Sequence, residues 1–295
     1  MSVRLTRDLR AEGIGSNELR RMVREQELHR VRRGAFSTVP QNGLQGHLQL
    51  IRATLPRLGE GAVLSHVSAA VLHELPVDLR QLDRVTVTRP AKGGGWIGPC
   101  LHRYSTPLAA GDVELVDGFQ RTTMARTVVD LARSGDLETG VAAADAALRL
   151  GCRPDQFAVQ LRLARRRRGL ASARVALDFA DGRSESAGES VSRVAIWRLG
   201  LPAPELQLEV EIDGHRYRSD FGWREERVLG EFDGKVKYGE GLRPGGSAAD
   251  VIMREKRREA DLRAADWWVV RWTWADVFQP ERLDRLLGAA LRNRR

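Results

Sequence analysis

Apolar positions recur along this chain with two different periods, and the changes of period divide it into three regions. In the first, LTRDLRAEG sets Leu5 and Leu9 at helical spacing and stops at Gly13. Ser16 or Asn17 suits the N-cap of a second helix, NELRRMVREQ, whose apolar stripe is Leu19, Met22 and Val23. ELHRVRRGAFS then places Leu28, Val31 and Phe36 around Arg32-Arg33-Gly34, the pattern of two short strands and a tight turn. Helix, helix, hairpin is the outline of a winged helix-turn-helix, expected over residues 1–42.

Residues 45–180 read as a mixed α/β region. VLSHVSAAVLHEL (63–75) predicts a helix, and DRVTVTRP (83–90) a strand stopped by Pro90. LHRY and ELVDGFQRTT predict further strands. TMARTVVDLARSG and LETGVAAADAALRLG predict helices closing at glycine C-caps. The segment 162–182, with its run of four arginines, predicts one more helix before Gly182. His66 and His73 fall seven apart on one predicted helix face and read as satisfied core or surface histidines rather than metal ligands.

From 184 to 295 the order is helix (SESAGESVSRVAIWRLG), strand (ELQLEVEI), hairpin turn at Asp213-Gly214, strand (HRYRSDFGW) and strand (VLGEFDGK). A Gly-rich loop (239–247), a charged helix, the strand WWVVRWT and a final helix complete it. The expected fold class is therefore α+β multidomain: winged helix, middle α/β region and C-terminal α/β/α domain.

Charge changes this picture in the first region. Forty residues there hold nine Arg and five acidic residues, a local net of 9 − 5 = +4, within a chain of net charge +9. Arg20, Arg21 and Arg24 lie on the second helix and Arg32 and Arg33 at the hairpin turn, where a recognition helix and wing carry DNA contacts. DNA is thus the expected partner. Cys100 and Cys152 form no Cys-x-x-Cys pair and read as small apolar residues of a reducing compartment. With no apolar run of bilayer length and a charged N-terminus, the expectation is a soluble cytoplasmic protein without membrane association.

The chemistry concentrates in the third region. Asp220 falls near the end of one predicted strand, and Glu231, Asp233 and Lys235 alternate along the next, sharing a face. Charges at such positions destabilise a sheet unless they bind something. Clustered carboxylates without Cys or His suit a hard cation, Mg2+ or Mn2+, which activates water and stabilises charge on a phosphate. Glu189 also fits a helix capping box with Ser186.

On these residues, with ES at 189–190, Gln207, RSDF at 218–221, GEFDGK at 230–235 and EKRREADLRAADWWVVRW, the last 110 or so residues resemble the Vsr-like branch of the PD-(D/E)xK nuclease superfamily. The resemblance implies a restriction-endonuclease-like domain with Asp220 and Glu231 as metal ligands, Asp233 and Lys235 completing the site, and Glu189 as the helix glutamate. Ser219 stands where the name-giving proline would be, and Asp233 where a strict pattern wants lysine, leaving two registers open. Central placement on the strand favours Asp220, Glu231 and the Phe232 carbonyl around the metal, with Asp233 beside it and Lys235 toward the phosphate. "SHVSAAVLHEL", "VTVTRP", "HRY" and "TTMARTVVDLAR" resemble the AbiEi-type antitoxin architecture, which implies DNA binding and a cognate toxin as a second partner.

Two functions follow as expectations. One is a metal-dependent DNA endonuclease delivered by its N-terminal module, in defence or repair. The other is a DNA-binding regulator or antitoxin with an inactive nuclease fold. RNA is the weaker substrate, because the Trp267, Trp268, Trp272 and Trp274 group falls on or beside a core strand and no aromatic stacking platform emerges.

Overall fold

A computed structural model describes residues 3–40, 42–90, 94–234 and 248–292. The chain is a mixed α/β protein with helices and three sheets, and it separates into two compact units. Unit 1 comprises residues 1–143 and 151–177; unit 2 comprises 144–150 and 178–295.

Unit 1 begins with β1 (Val3–Leu5), α1 (Thr6–Ala11), α2 (Ser16–Arg24), β2 (His29–Arg32) and β3 (Ala35–Ser37). The strands form an antiparallel sheet in the order β1-β3-β2. Leu9, Leu28 and Phe36 are its buried centre, with Leu19, Met22 and Val23 of α2 packed on them. The predicted helices and hairpin are present, and Leu5, read as the start of the first helix, instead ends β1, which pairs with β3.

The rest of unit 1 is a six-stranded sheet in the order β6-β7-β5-β4-β9-β8. Its elements are α3 (Gly43–Thr54), β4 (Val63–Leu64), α4 (His66–Leu72), β5 (Val85–Thr88), β6 (Trp96–Ile97), β7 (Leu101–Tyr104), β8 (Val113–Val116), β9 (Phe119–Thr122), α5 (Met124–Ser134), the first half of α6 (Leu137–Arg149), whose residues from Ala144 on belong to unit 2, α7 (Pro154–Leu163) and α8 (Leu170–Asp178), all but its last residue. The helix expected from Val63 starts three residues later. Val63 and Leu64 are taken into the sheet between β5 and β9, a choice that periodicity cannot make for so short an apolar run. Arg165–Arg168 lie in the turn between α7 and α8 rather than in a helix. Gly169 closes that turn at φ +74°, where a Cβ would meet the Arg133 carbonyl oxygen at 1.9 Å. Gly135 is the C-cap of α5, as expected, in an extended conformation at φ −98°.

His66 and His73 are satisfied core residues, as expected. His66 bonds the Ser65 hydroxyl at 3.0 Å and stacks on Tyr104 at 3.5 Å, and burial pulls its pKa down to about 4. His73 Nε2 bonds the Thr122 carbonyl at 2.8 Å. Burial raises the Cys152 thiol to about 11, consistent with an inert small residue.

Unit 2 contains α9 (Ala187–Arg198), β10 (Glu205–Ile212), β11 (His215–Trp223), β12 (Val228–Asp233), α10 (Ala248–Ala264), β13 (Trp268–Thr273) and the short helices α11 (Trp274–Val277), α12 (Pro280–Leu283) and α13 (Ala289–Arg292). The sheet order is β10-β11-β12-β13, with β12 and β13 parallel. Residues of α9 and of the C-terminal helices, among them Val191, Ile196, Leu283 and Leu287, share a core with Phe221, Val228 and Trp272. Leu262 of α10 packs instead with Leu208, Val210 and Leu229, so helices cover both faces. No helix among the described residues is long and apolar enough to cross a membrane.

Candidate active site

Of the expected acids, Asp220 and Glu189 lie near one another where the unit 2 sheet is interrupted. β11 pairs with β12 from Trp223 to Phe221 and no further, and β10 pairs with β11 on either side of Gln207 but not at it. Asp220, opposite Gln207 and next after Phe221, is therefore skipped by both ladders. Side chains take over there: Ser219 Oγ donates to the Gly230 carbonyl at 2.8 Å, and the Phe232 N–H donates to Asp220 Oδ2 at 2.9 Å. Gln207 itself sits at φ +53°, a conformation that destabilises a non-glycine residue by about 1 kcal/mol or more. Held so, it donates from Nε2 to Glu189 Oε2 at 3.0 Å.

Asp220 is half-buried, and its pKa is pushed up to about 6. Burial is the largest cause, and the negative charges of Glu189, Glu231 and Glu185 add to it against the Phe232 N–H. No arginine or lysine among the described residues pairs with it. Glu189 is buried at the start of α9, where its N–H bonds Ser186 Oγ at 3.2 Å and its Oε2 accepts from Glu185 N–H at 2.8 Å. The capping role thus coexists with a position beside Asp220. Room for this comes from Gly188, where a Cβ would lie 1.8 Å from the Phe232 ring.

Glu231 lies on the α10 side of β12. It is bonded by Arg258 at Oε1 and by Arg271 Nε at Oε2, 2.9 Å away, and Arg271 also pairs with Glu255 and Glu259. Both oxygens of the expected ligand are thus already held by cations. Asp233 is exposed at the end of β12, and Lys235 lies outside the described residues. Among the described residues no three His, Cys, Asp or Glu side chains form a group that could hold a metal ion. Asp220 and Glu189 are two oxygen-only acids close enough for the charge of Glu189 to raise the pKa of Asp220, and Asp220 has no cationic partner among the described residues, a chemistry that suits a hard cation better than a soft one.

Sequence reasoning missed Arg258 and Arg271, whose role depends on α10 and β13 lying against β12. It also missed Glu185, which pairs with Arg218 at 2.9 Å. A single alternation pattern within β12 could not have revealed either.

The expected DNA contacts are placed unequally. Arg20 and Arg24 are exposed on α2, Arg20 donating to Asn17 at 2.8 Å and Arg24 pairing with Glu25 at 3.4 Å. Arg21 is enclosed by Glu18, Glu25 and Glu27, which hold it strongly protonated. Arg32 does not project from the turn. Its Nε reaches the Ala53 carbonyl at 2.9 Å and its Nη1 the Arg33 carbonyl at 2.7 Å, so it ties β2 to α3. Arg33 is exposed and, with Arg30, lines an open groove of about 650 Å³.

No protein-family model matches the chain. Two proteins of Mycobacterium tuberculosis, uncharacterized protein MT2308 of strain CDC 1551 / Oshkosh and uncharacterized protein Rv2248 of strain ATCC 25618 / H37Rv, are each 32% identical to it over 233 residues. The match covers 77% of this chain and 80% of each relative. The chain belongs to the family of these two mycobacterial proteins.

Proposed function

We propose that the protein is a divalent-metal-dependent DNA endonuclease whose active site is the interrupted sheet around Asp220. Unit 2 would be a restriction-endonuclease-like domain and residues 1–42 a winged helix-turn-helix that delivers it to DNA. The observation that carries this reading is Asp220 itself. A carboxyl raised to about 6 by burial first and then by the charges of Glu189, Glu231 and Glu185, and itself without a cationic partner among the described residues, binds a divalent ion most readily once deprotonated. Asp220 and Glu189 would hold Mg2+ or Mn2+, with Glu231, the Phe232 carbonyl and Asp233 alongside and Lys235 toward the phosphate. Bound there, the ion supplies an activated water and charge for the phosphate. Gln207 orients Glu189, and the Phe232 N–H fixes one oxygen of Asp220, leaving the other toward the cation.

Plasmid DNA incubated with pure protein tests this reading. Nicking or cutting is expected with Mg2+ or Mn2+, none with EDTA, and none from Asp220→Ala or Glu231→Ala variants of native fold. Undiminished cleavage by Asp220→Ala would sink the assignment. One observation favours a second reading, a DNA-binding regulator or antitoxin with a retired nuclease fold: Glu231 is neutralised by Arg258 and Arg271. On that reading no metal restores cleavage, and calorimetry registers no Mn2+ binding.

A further inference from the structure

A pocket of about 400 Å³ opens in unit 1 where α3 and the turn Leu55–Arg57 run out over the six-stranded sheet. Its floor is a row across three adjacent strands: Val87 of β5 is paired with Arg103 of β7, and Arg103 with Trp96 of β6. Cross-strand partners share a face, their Cβ atoms about 5 Å apart. Arg89 continues β5 by two residues onto the same face, and Arg57 closes the rim.

Arg57, Arg89 and Arg103 face this space, and no carboxylate lines it. None of the three has an ion-pair partner among the described residues, and Arg103 Nε is buried without a hydrogen bond. Like charges converging in a partly desolvated concavity repel one another unless an anion joins them. Beside them Trp96 is 51% exposed, its indole lying over Gly98, where a Cβ would come within 2.1 Å of the ring. A large aromatic held against bare backbone and left half open is a platform for a flat ring. Guanidinium groups next to such a platform match one chemistry, a phosphate attached to a base.

We propose that this pocket binds a nucleoside phosphate unit, with the phosphate on Arg57, Arg89 and Arg103 and the base stacked on Trp96. On this proposal the stacking platform is Trp96, apart from the tryptophans near the last strand, of which Trp272 is fully buried. Arg57 also lines the neighbouring groove of Arg30 and Arg33, so a single strand could continue from one to the other within unit 1. The proposal does not depend on the acidic site of unit 2.

The test is fluorescence anisotropy of the full chain with a labelled oligothymidine of about 12 nucleotides, in EDTA so that cleavage plays no part. Trp96→Ala should weaken binding about tenfold or more, and Trp96→Phe should restore most of it. Arg89→Ala should lower the magnitude of the log–log salt slope by about 0.7. Both side chains are exposed, so unchanged circular dichroism is expected. Thymidine monophosphate that competes as well as the oligomer would identify a free nucleotide as the ligand, whereas competition by the oligomer alone identifies single-stranded nucleic acid. Wild-type affinity in the Trp96→Ala variant, or equal competition by polyglutamate, would overturn the proposal.

Discussion

Asp112 and Asp130 in unit 1 and Asp220 in unit 2 are carboxylates set among apolar neighbours, yet their surroundings differ in kind. Asp112 and Asp130 are buried on either side of Arg126, which reaches both at 2.7 Å. Arg133 adds a bond to Asp130 at 3.1 Å, and Gln160 and the Ala109 N–H complete Asp112. Every acid there has its cation, and the network joins α5, α7 and the start of β8. Asp220 has acids for neighbours and one backbone N–H. The first arrangement holds a fold together; the second keeps a negative site open at some expense of stability. Charge alone does not distinguish the two settings, but the sign of what surrounds each acid does.

The sharpest way to break the comparison is to remove the matched cation. Arg126→Met keeps the volume but leaves buried Asp112 without a cation and Asp130 with Arg133 alone, and should destabilise unit 1 by about 3–5 kcal/mol. Adding Asp112→Asn and Asp130→Asn to it should recover much of that loss. Urea unfolding followed by circular dichroism reads both. A loss below about 1 kcal/mol for Arg126→Met would mean the buried network is not what holds these helices.

Asp220 should respond in the opposite sense. Its pKa rises from an ordinary 3.8 to about 6 in the folded protein, so folding favours the protonated form. Stability from this group is then complete below pH 3.8 and falls as pH rises through about 6. The full difference is about 3 kcal/mol. Asp220→Asn should therefore raise stability above pH 7 by about 1–2 kcal/mol while abolishing cleavage, and should flatten the pH dependence. Six of the seven tryptophans lie in unit 2, so tryptophan fluorescence follows this unit. A variant less stable than wild type at pH 8 would show that the acid is structural after all.

Unit 2 was legible in the sequence to a greater depth than unit 1, for physical reasons. Long alternating strands and the Asp213-Gly214 turn, with Asp213 at φ +49° and Gly214 at +78°, have strong local signals. β10, β11, β12 and β13 fall where alternation put them. In unit 1 the two-residue strands β4 and β6 carry almost no periodicity and exist through pairing with distant partners. The candidate acids were readable as residue types on one strand, but their environments were not. That Arg271 bonds Glu231 follows from the parallel pairing of β12 with β13, which aligns those two residues across 40 positions of sequence. That the β10–β11 ladder skips Asp220 goes with a left-handed Gln207 opposite it, for which no local turn signal exists.

Glu231 lies between the two cases, an expected ligand with structural partners. Glu231→Gln leaves Arg271 its bonds to Glu255 and Glu259, so the stability loss should be modest, about 1 kcal/mol, by the same unfolding measurement. Metal binding is the more informative readout. Should calorimetry find Mn2+ affinity lost in Glu231→Gln as in Asp220→Asn, the arginines release Glu231 on metal binding and it belongs with the open site. Should the affinity survive there and vanish in Asp233→Asn, Glu231 belongs with the matched acids and the other register of the strand is right.

The smallest expected effect concerns the arginines of α2 and of the β2–β3 hairpin. Arg21 is a surface echo of Arg126, a cation among acids, but its partners Glu18, Glu25 and Glu27 are all solvent-exposed. Water screens such pairs, and Arg21→Ala should change stability by about 0.5 kcal/mol or less. Three carboxylates around one guanidinium also leave it little attraction for phosphate, so duplex DNA binding should stay within about threefold of wild type, a difference of about 0.6 kcal/mol. Arg33, exposed and without an acid partner among the described residues, should behave otherwise. Arg33→Ala should leave stability unchanged and lower the magnitude of the duplex salt slope by about 0.9, one phosphate contact. A slope that falls for Arg21→Ala and holds for Arg33→Ala would reverse the assignment. It would place the DNA on α2 rather than on the wing, and would mean that the acids around Arg21 yield to phosphate when DNA arrives.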